Sequence, residues 1–238
     1  MVVHWESRAG ACMRSRHGGG DPLGKRVLTS KYIYDCVCAH QCALRDAGVE
    51  PGAPLLQSIA TYIELLLRWN RKINLTRITD PQEIVTRNFA ESLLAAQWLP
   101  NVVGRMSDVG SGAGFPGLAL KLVLPRWHVT LIEPTAKKAA FLAEAARTLG
   151  LKDVEIERCR WQESKVLPSS IDAVTSRAVG GYSELEEWAK TRLKQSGKLI
   201  LWVGARDAEE IRGRGGWHWD MQVVPRSRER VVLVGTGL

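Results

Sequence analysis

Three glycines at alternate positions, Gly110, Gly112 and Gly114, follow the acid Asp108 and lead into Phe115-Pro116-Gly117. Such a run lets a strand turn sharply into a helix while its backbone passes close to a ligand, where any Cβ would collide. The start of the helix leaves amide N–H groups aimed at that ligand, which suits a carboxylate or a phosphate. A dinucleotide fingerprint, Gly-x-Gly-x-x-Gly, needs its third glycine at position 115, and the chain has Phe115 there. Twenty-three residues after Gly110 stands Glu133, a carboxylate placed to accept hydrogen bonds from both ribose hydroxyls of an adenosine ligand. NAD would satisfy Glu133 equally well, so that residue alone does not separate the cofactors. Further on, Gln162 can hydrogen-bond a base amine and Trp161 offers a flat apolar neighbour. Arg177, in Ser176-Arg177-Ala178, can hold a carboxylate or an incoming phosphate.

These residues need strand ends to carry them, and the hydrophobic pattern supplies strands. Met106–Val109 reads as a strand before the glycine turn, Leu118–Val123 as the helix after it, and His128–Glu133 as the second strand. A helix from Lys137 to Leu149 follows, then strands at Val154–Arg158 and Ile171–Thr175. A helix near Ser183–Leu193, a strong strand at Lys198–Val203 and a closing pair, Asp220–Val224 with Arg230–Val234, complete the series. Strands alternating with helices predict an α/β fold, a mostly parallel sheet covered on both faces. Residues 101–238 form that domain in this reading. Upstream, Leu55, Leu56, Ile59, Tyr62, Ile63, Leu66 and Leu67 recur at helical spacing, and Asp80-Pro81 caps a second helix, so 41–100 reads as a helical cap. Residues 1–40 are rich in Arg, Gly and Cys without hydrophobic period and read as a disordered tail or an over-extended start.

A net charge of +8 with a pI near 9.4 makes a polyanionic partner plausible. Arg68, Arg71, Lys72 and Arg77 gather beside Trp69, the mix of cations and aromatic surface that suits an RNA-facing edge. Arg226, Arg228 and Arg230 form a second, weaker cluster. The five cysteines, Cys12, Cys36, Cys38, Cys42 and Cys159, match no zinc spacing, so no metal is expected. No apolar run reaches the roughly 18 to 20 residues of a membrane span. The reading is a cytoplasmic protein with no membrane partner and no obligate protein partner.

Acid-x-Gly-x-Gly-x-Gly resembles the first motif of class I S-adenosylmethionine-dependent methyltransferases. The wider set resembles the RsmG (GidB) family of 16S ribosomal RNA guanine-N7 methyltransferases, over roughly residues 43 to 235. Its marks are Trp69-Asn70 with Asn74-Leu75-Thr76, Arg87-Asn88-Phe89-Ala90-Glu91-Ser92-Leu93, Asp108 to Gly117, Lys137-Lys138, Ser176-Arg177-Ala178 and Arg228-Glu229-Arg230. The resemblance implies a class I, Rossmann-like fold with a small helical cap and S-adenosylmethionine as cofactor. It also implies 16S RNA or the small ribosomal subunit as partner, and cofactor contacts from Gly110, Phe115, Trp161, Gln162 and Arg177. The chain departs from the family at Asn88, where a His is usual, at Gln162, where an acid is usual, and at Val203, where a Lys is usual. These departures bear on RNA affinity or turnover rather than on cofactor binding.

The end of the fourth strand narrows the acceptor. Enzymes acting on exocyclic amines carry a Asp/Asn-Pro-Pro-Tyr/Phe motif there, and this chain has Ser176-Arg177-Ala178-Val179. No cysteine nucleophile stands at that position either. A target that is already nucleophilic, such as guanine N7, needs neither device, and no catalytic base is assigned. Two rivals stay open at this point, a NAD-dependent oxidoreductase and a non-enzymatic RNA-binding protein with an adenosyl ligand as effector.

Overall fold

The computed structural model describes residues 29–100, 102–177, 180–227 and 229–237. Among the described residues seven strands form one sheet in the order β3-β2-β1-β4-β5-β7-β6. The strands are β1 (Gly104–Val109), β2 (Trp127–Ile132), β3 (Val154–Glu157), β4 (Ile171–Arg177), β5 (Leu193–Gly204), β6 (Trp217–Val223) and β7 (Arg230–Gly237). The first five pair in parallel, while β7 runs antiparallel to both β5 and β6. The expected closing pair is this β6–β7 hairpin. Near-continuous apolar runs such as Leu199-Ile200-Leu201 and Val231-Val232-Leu233-Val234 are buried, as strands covered on both faces must be.

Register places the chemistry. Val109 pairs with Ile132 on one side and with Ser176 on the other. The residues that follow those three, Gly110, Glu133 and Arg177, therefore emerge along one edge of the sheet. Chain order also reverses beside β1, so the crevice outside the carboxyl ends of β1 and β4 is the switch point where such sheets bind ligands.

Helices cover both faces: α6 (Gly117–Val123), α7 (Ala136–Thr148), α8 (Tyr182–Arg192) and α9 (Ala205–Gly213). The sequence reading names no helix at 205–213, because only Ala208 and Ile211 are buried there and two residues make little periodicity. The cap comprises α1 (Ser30–Ala39), α2 (Gln41–Asp46), α3 (Ala53–Asn70) and a continuous helical run beginning at α4 (Pro81–Glu83). That run passes through a π segment, Ile84–Ala90, then α5 (Glu91–Leu93) and a 3-10 turn, Leu94–Trp98. The Asp80 carboxylate caps it, accepting from the amides of Gln82 at 2.8 Å and Glu83 at 3.0 Å. Asn70 closes the turn after α3, accepting from the Leu75 and Thr76 amides and donating to the Thr76 carbonyl, which explains the polar residues in that loop.

One expectation needs correction. Residues 30–39, assigned above to a disordered tail or an over-extended start, form helix α1, which belongs to the cap. Ile33 and Val37, one helical turn apart, are buried together with Cys36, and the Thr29 hydroxyl accepts from the Tyr32 amide to start the helix. The preceding 28 residues lie outside the described residues.

Candidate cofactor site and arginine seam

The glycine turn is built as its composition requires. Gly110, Gly112 and Gly114 have φ of 71°, 52° and 81°, the left-handed region that side chains disfavour. The amides of Gly110 and Ser111 donate to the Ile132 carbonyl at 2.9 and 3.2 Å, which ties the turn to the end of β2. A Cβ added at Gly112 would meet only the Gly110 carbonyl oxygen, at 3.7 Å, so this face of the turn is open to a ligand. At Gly114 and Gly117 the reverse holds: an added Cβ would strike Tyr62 and Leu118 in the first case and Leu131 and Asp108 in the second. The glycines therefore serve two ends, an open face toward the crevice and close packing behind it.

Asp108 is the post behind the turn. Fully buried, it accepts from the Thr175 hydroxyl at 2.8 Å and from the Gly117 amide at 3.2 Å, linking β1, β4 and the start of α6. Burial pushes its carboxyl up to about 6, and the charge of Glu133 adds to the rise, while the hydrogen bonds oppose it. Glu133 is also buried, and its two oxygens accept from the amides of Gly112 at 3.0 Å and Thr135 at 2.9 Å. Each oxygen keeps a second lone pair, so the carboxylate can still receive ribose hydroxyls.

Phe115 faces the other way. Its ring, 8% exposed, stacks on Tyr62 at 5.4 Å and meets Phe89 edge-to-face at 5.0 Å, inside the seam between cap and sheet. A cofactor contact from Phe115 thus falls to its backbone. The Tyr62 hydroxyl donates to the Ala113 carbonyl at 2.7 Å, so the cap grips the turn directly. Trp161 lies half-buried in a 3-10 turn after β3, edge-to-face with Trp188 at 6.0 Å, and Gln162 beside it is exposed.

Arg177, at the end of β4, donates to one oxygen of Glu91 at 3.3 Å, and Arg230 donates to the other at 2.7 Å. Glu91 is 5% exposed and its own carbonyl accepts from the Trp202 indole at 2.7 Å. Burial lowers the Arg177 guanidinium from its ordinary range, Glu91 opposes that, and the charges of Arg230 and Arg87 reinforce it. In the sequence Arg177 stands at a predicted strand end, whereas Glu91 is only one residue of a motif. The ion pairs themselves join residues 86 and 139 positions apart, and nothing local in the chain signals them.

At the C-terminal end of α3, Arg68 pairs with Glu144 at 2.6 Å, and the Trp69 indole donates to the same carboxylate at 3.0 Å. Arg71, Lys72 and Arg77 are exposed. Among the described residues no group of three or more His, Cys, Asp or Glu side chains could hold a metal ion, and no helix is long and apolar enough to cross a membrane.

The fold has solved counterparts of low sequence similarity. A SAM-dependent methyltransferase from Aquifex aeolicus superposes with a TM-score of 0.55 at 16% identity, covering 67% of this chain and 94% of that one. A precorrin-6y C5,15-methyltransferase from Geobacter metallireducens gives 0.54 at 14% identity, covering 70% and 92%. These establish the class I fold and nothing finer. Sequence decides the family: residues 55–233 match GidB, rRNA small subunit methyltransferase G. The chain belongs to that family. Relatives bearing the name ribosomal RNA small subunit methyltransferase G include one from Halorhodospira halophila, 38% identical over 168 residues, covering 71% of this chain and 78% of the relative. Another, from Roseiflexus castenholzii, is 40% identical over 163 residues, covering 67% and 70%. The GidB match begins inside the cap and ends in β7, so in this chain the family unit includes both sides of the Tyr62–Phe115 seam.

Proposed function

We propose that this chain transfers a methyl group from S-adenosylmethionine to N7 of a guanine in 16S ribosomal RNA. The observation that carries the reading is an open glycine turn at the switch point, flanked by Glu133 and Arg177, in a chain of the GidB family. In this reading Gly110, Gly112 and the Phe115 backbone border the cofactor, and Glu133 takes its ribose hydroxyls. Trp161 and Gln162 flank the adenine, and Arg177 faces its carboxylate.

When bound, S-adenosylmethionine supplies a methyl carbon made electrophilic by the neighbouring sulfonium. The guanine N7 lone pair forms the new bond as the carbon–sulfur pair of electrons stays with sulfur. No proton leaves N7, so the residues around the crevice need only align the base and exclude water. Arg71, Lys72 and Arg77 serve as outlying phosphate contacts, and Arg68 is less available because Glu144 already meets its charge.

The test is incubation of the purified protein with methyl-labelled cofactor and small-subunit RNA or subunits, followed by mapping of the labelled base. Label at a single guanine N7 is expected. Label found only on protein or small molecules would overturn the substrate.

A further inference from the structure

Two arginines converge on one carboxylate where the cap meets the sheet, and a third stands close by. Glu91 holds Arg177 and Arg230, and Arg87, four residues earlier in the π segment, lies close enough for its charge to act on Arg177. Arg87 itself pairs with Glu83 at 3.9 Å, and both of those side chains are well exposed. The seam is therefore cation-rich. It also holds unused donors: Arg87 Nε, Arg177 Nη1 and Arg230 Nε are buried without a hydrogen-bond partner. Unpaired buried donors on charged groups are costly, so each of these needs a partner, whether a water, an ion or a ligand.

From this seam a groove runs outward between α2, the π segment and the β6–β7 turn, with Asp46, Thr86, Arg87, Glu91, Arg226 and Arg230 as its polar lining. Arg226, at the turn, is held on the rim by Asp46 at 3.0 Å. We infer that this groove binds the phosphodiester backbone of single-stranded RNA next to the target nucleotide, with Arg87 and Arg230 as the inner phosphate ligands, Arg226 at the rim and Glu91 as the floor. The inference rests on the RNA substrate proposed above. Guanidinium groups present paired N–H donors that match phosphate oxygens, and here they outnumber the facing carboxylates. Placement adds to the case. Arg230 and Arg177 share one carboxylate, so a phosphate at Arg230 lies beside the crevice, within reach of the nucleotide whose base enters it. Single-stranded RNA fits because an enzyme acting on a base must have that base out of a helical stack.

The experiment measures affinity for a 16S RNA transcript across a range of salt concentrations for wild type, Arg87→Gln and Arg226→Gln, with cofactor affinity measured by calorimetry on the same samples. Arg226 is a surface side chain, so its variant stays folded even if the seam tolerates change poorly. Each variant is expected to lower the slope of log affinity against log salt by about 0.7, the loss of one single-strand phosphate contact. RNA affinity at physiological salt falls several-fold while cofactor affinity holds. Unchanged RNA affinity and slope in both variants overturn the groove, as does a loss confined to the cofactor. If wild type neither binds nor methylates the RNA, the substrate reading fails first. If wild type methylates it and the variants bind normally, the groove alone fails.

Discussion

Asp108 sits in the wall between the glycine turn and β4 with no solvent around it, and its carboxyl is raised from an ordinary 3.8 to about 6. Between those values the folded chain holds a proton that the unfolded chain has lost. This residue's contribution to stability is thus fully present below about pH 4 and declines as pH rises through 6, by roughly 3 kcal/mol in total. Asp108→Asn removes the titration. Its amide can accept from only one of Thr175 and Gly117, so the variant starts with a deficit of about 1–3 kcal/mol. Urea unfolding of both proteins at pH 4 and pH 7 should show that deficit shrinking as pH rises. A gap that stays constant with pH would show that Asp108 does not titrate as described. The sequence displayed Asp108 as an acid before a glycine turn. Its proton affinity depends on Thr175, 67 residues away, and on complete burial, neither of which spacing can reveal.

At the scale of elements, α3 and the glycine turn act as one unit. Gly114 has a positive φ, and a methyl group there would collide with the Tyr62 hydroxyl and with Leu118. Gly114→Ala is expected to cost about 2 kcal/mol or more and to weaken cofactor binding, read by thermal unfolding and calorimetry. Gly213→Ala is the contrast: nothing lies within 4 Å of its added Cβ, so stability should hold or rise slightly. Equal losses in the two variants would remove the Tyr62 contact as the explanation. Helix α1 supplies a second test. Ile33 is 2% exposed, and Ile33→Ala should cost about 2–5 kcal/mol, measured by denaturant midpoint. A stretch free of structure would show no loss. The α3 stripe was legible because seven apolar residues repeat at helical spacing. That of α1 was not, because Ile33 and Val37 are its only buried aliphatic residues and two positions make little periodicity.

For the whole molecule, the alternation of strands and helices was readable because each buried strand is a short apolar run bounded by glycine, proline or charge. The order of those strands and the seam between cap and sheet depend on pairing across distance. Glu91 shows why. It belongs to the cap, yet its carboxylate holds Arg177 from β4 and Arg230 at the start of β7, and its carbonyl receives Trp202 from β5. Glu91→Ala leaves two partly buried guanidiniums facing each other with no counter-charge, and breaking a buried ion pair from one side costs about 3–5 kcal/mol. For a chain of this size each kcal/mol shifts the melting temperature by roughly 2–4 °C. A fall of roughly 6 °C or more is therefore expected. Arg68→Ala, which breaks an ion pair whose arginine is largely exposed, should move it by little. Differential scanning calorimetry of the two variants decides the matter. Similar small shifts would mean that Glu91 does not tie the cap to the sheet, and that the arginines find other partners when it is gone.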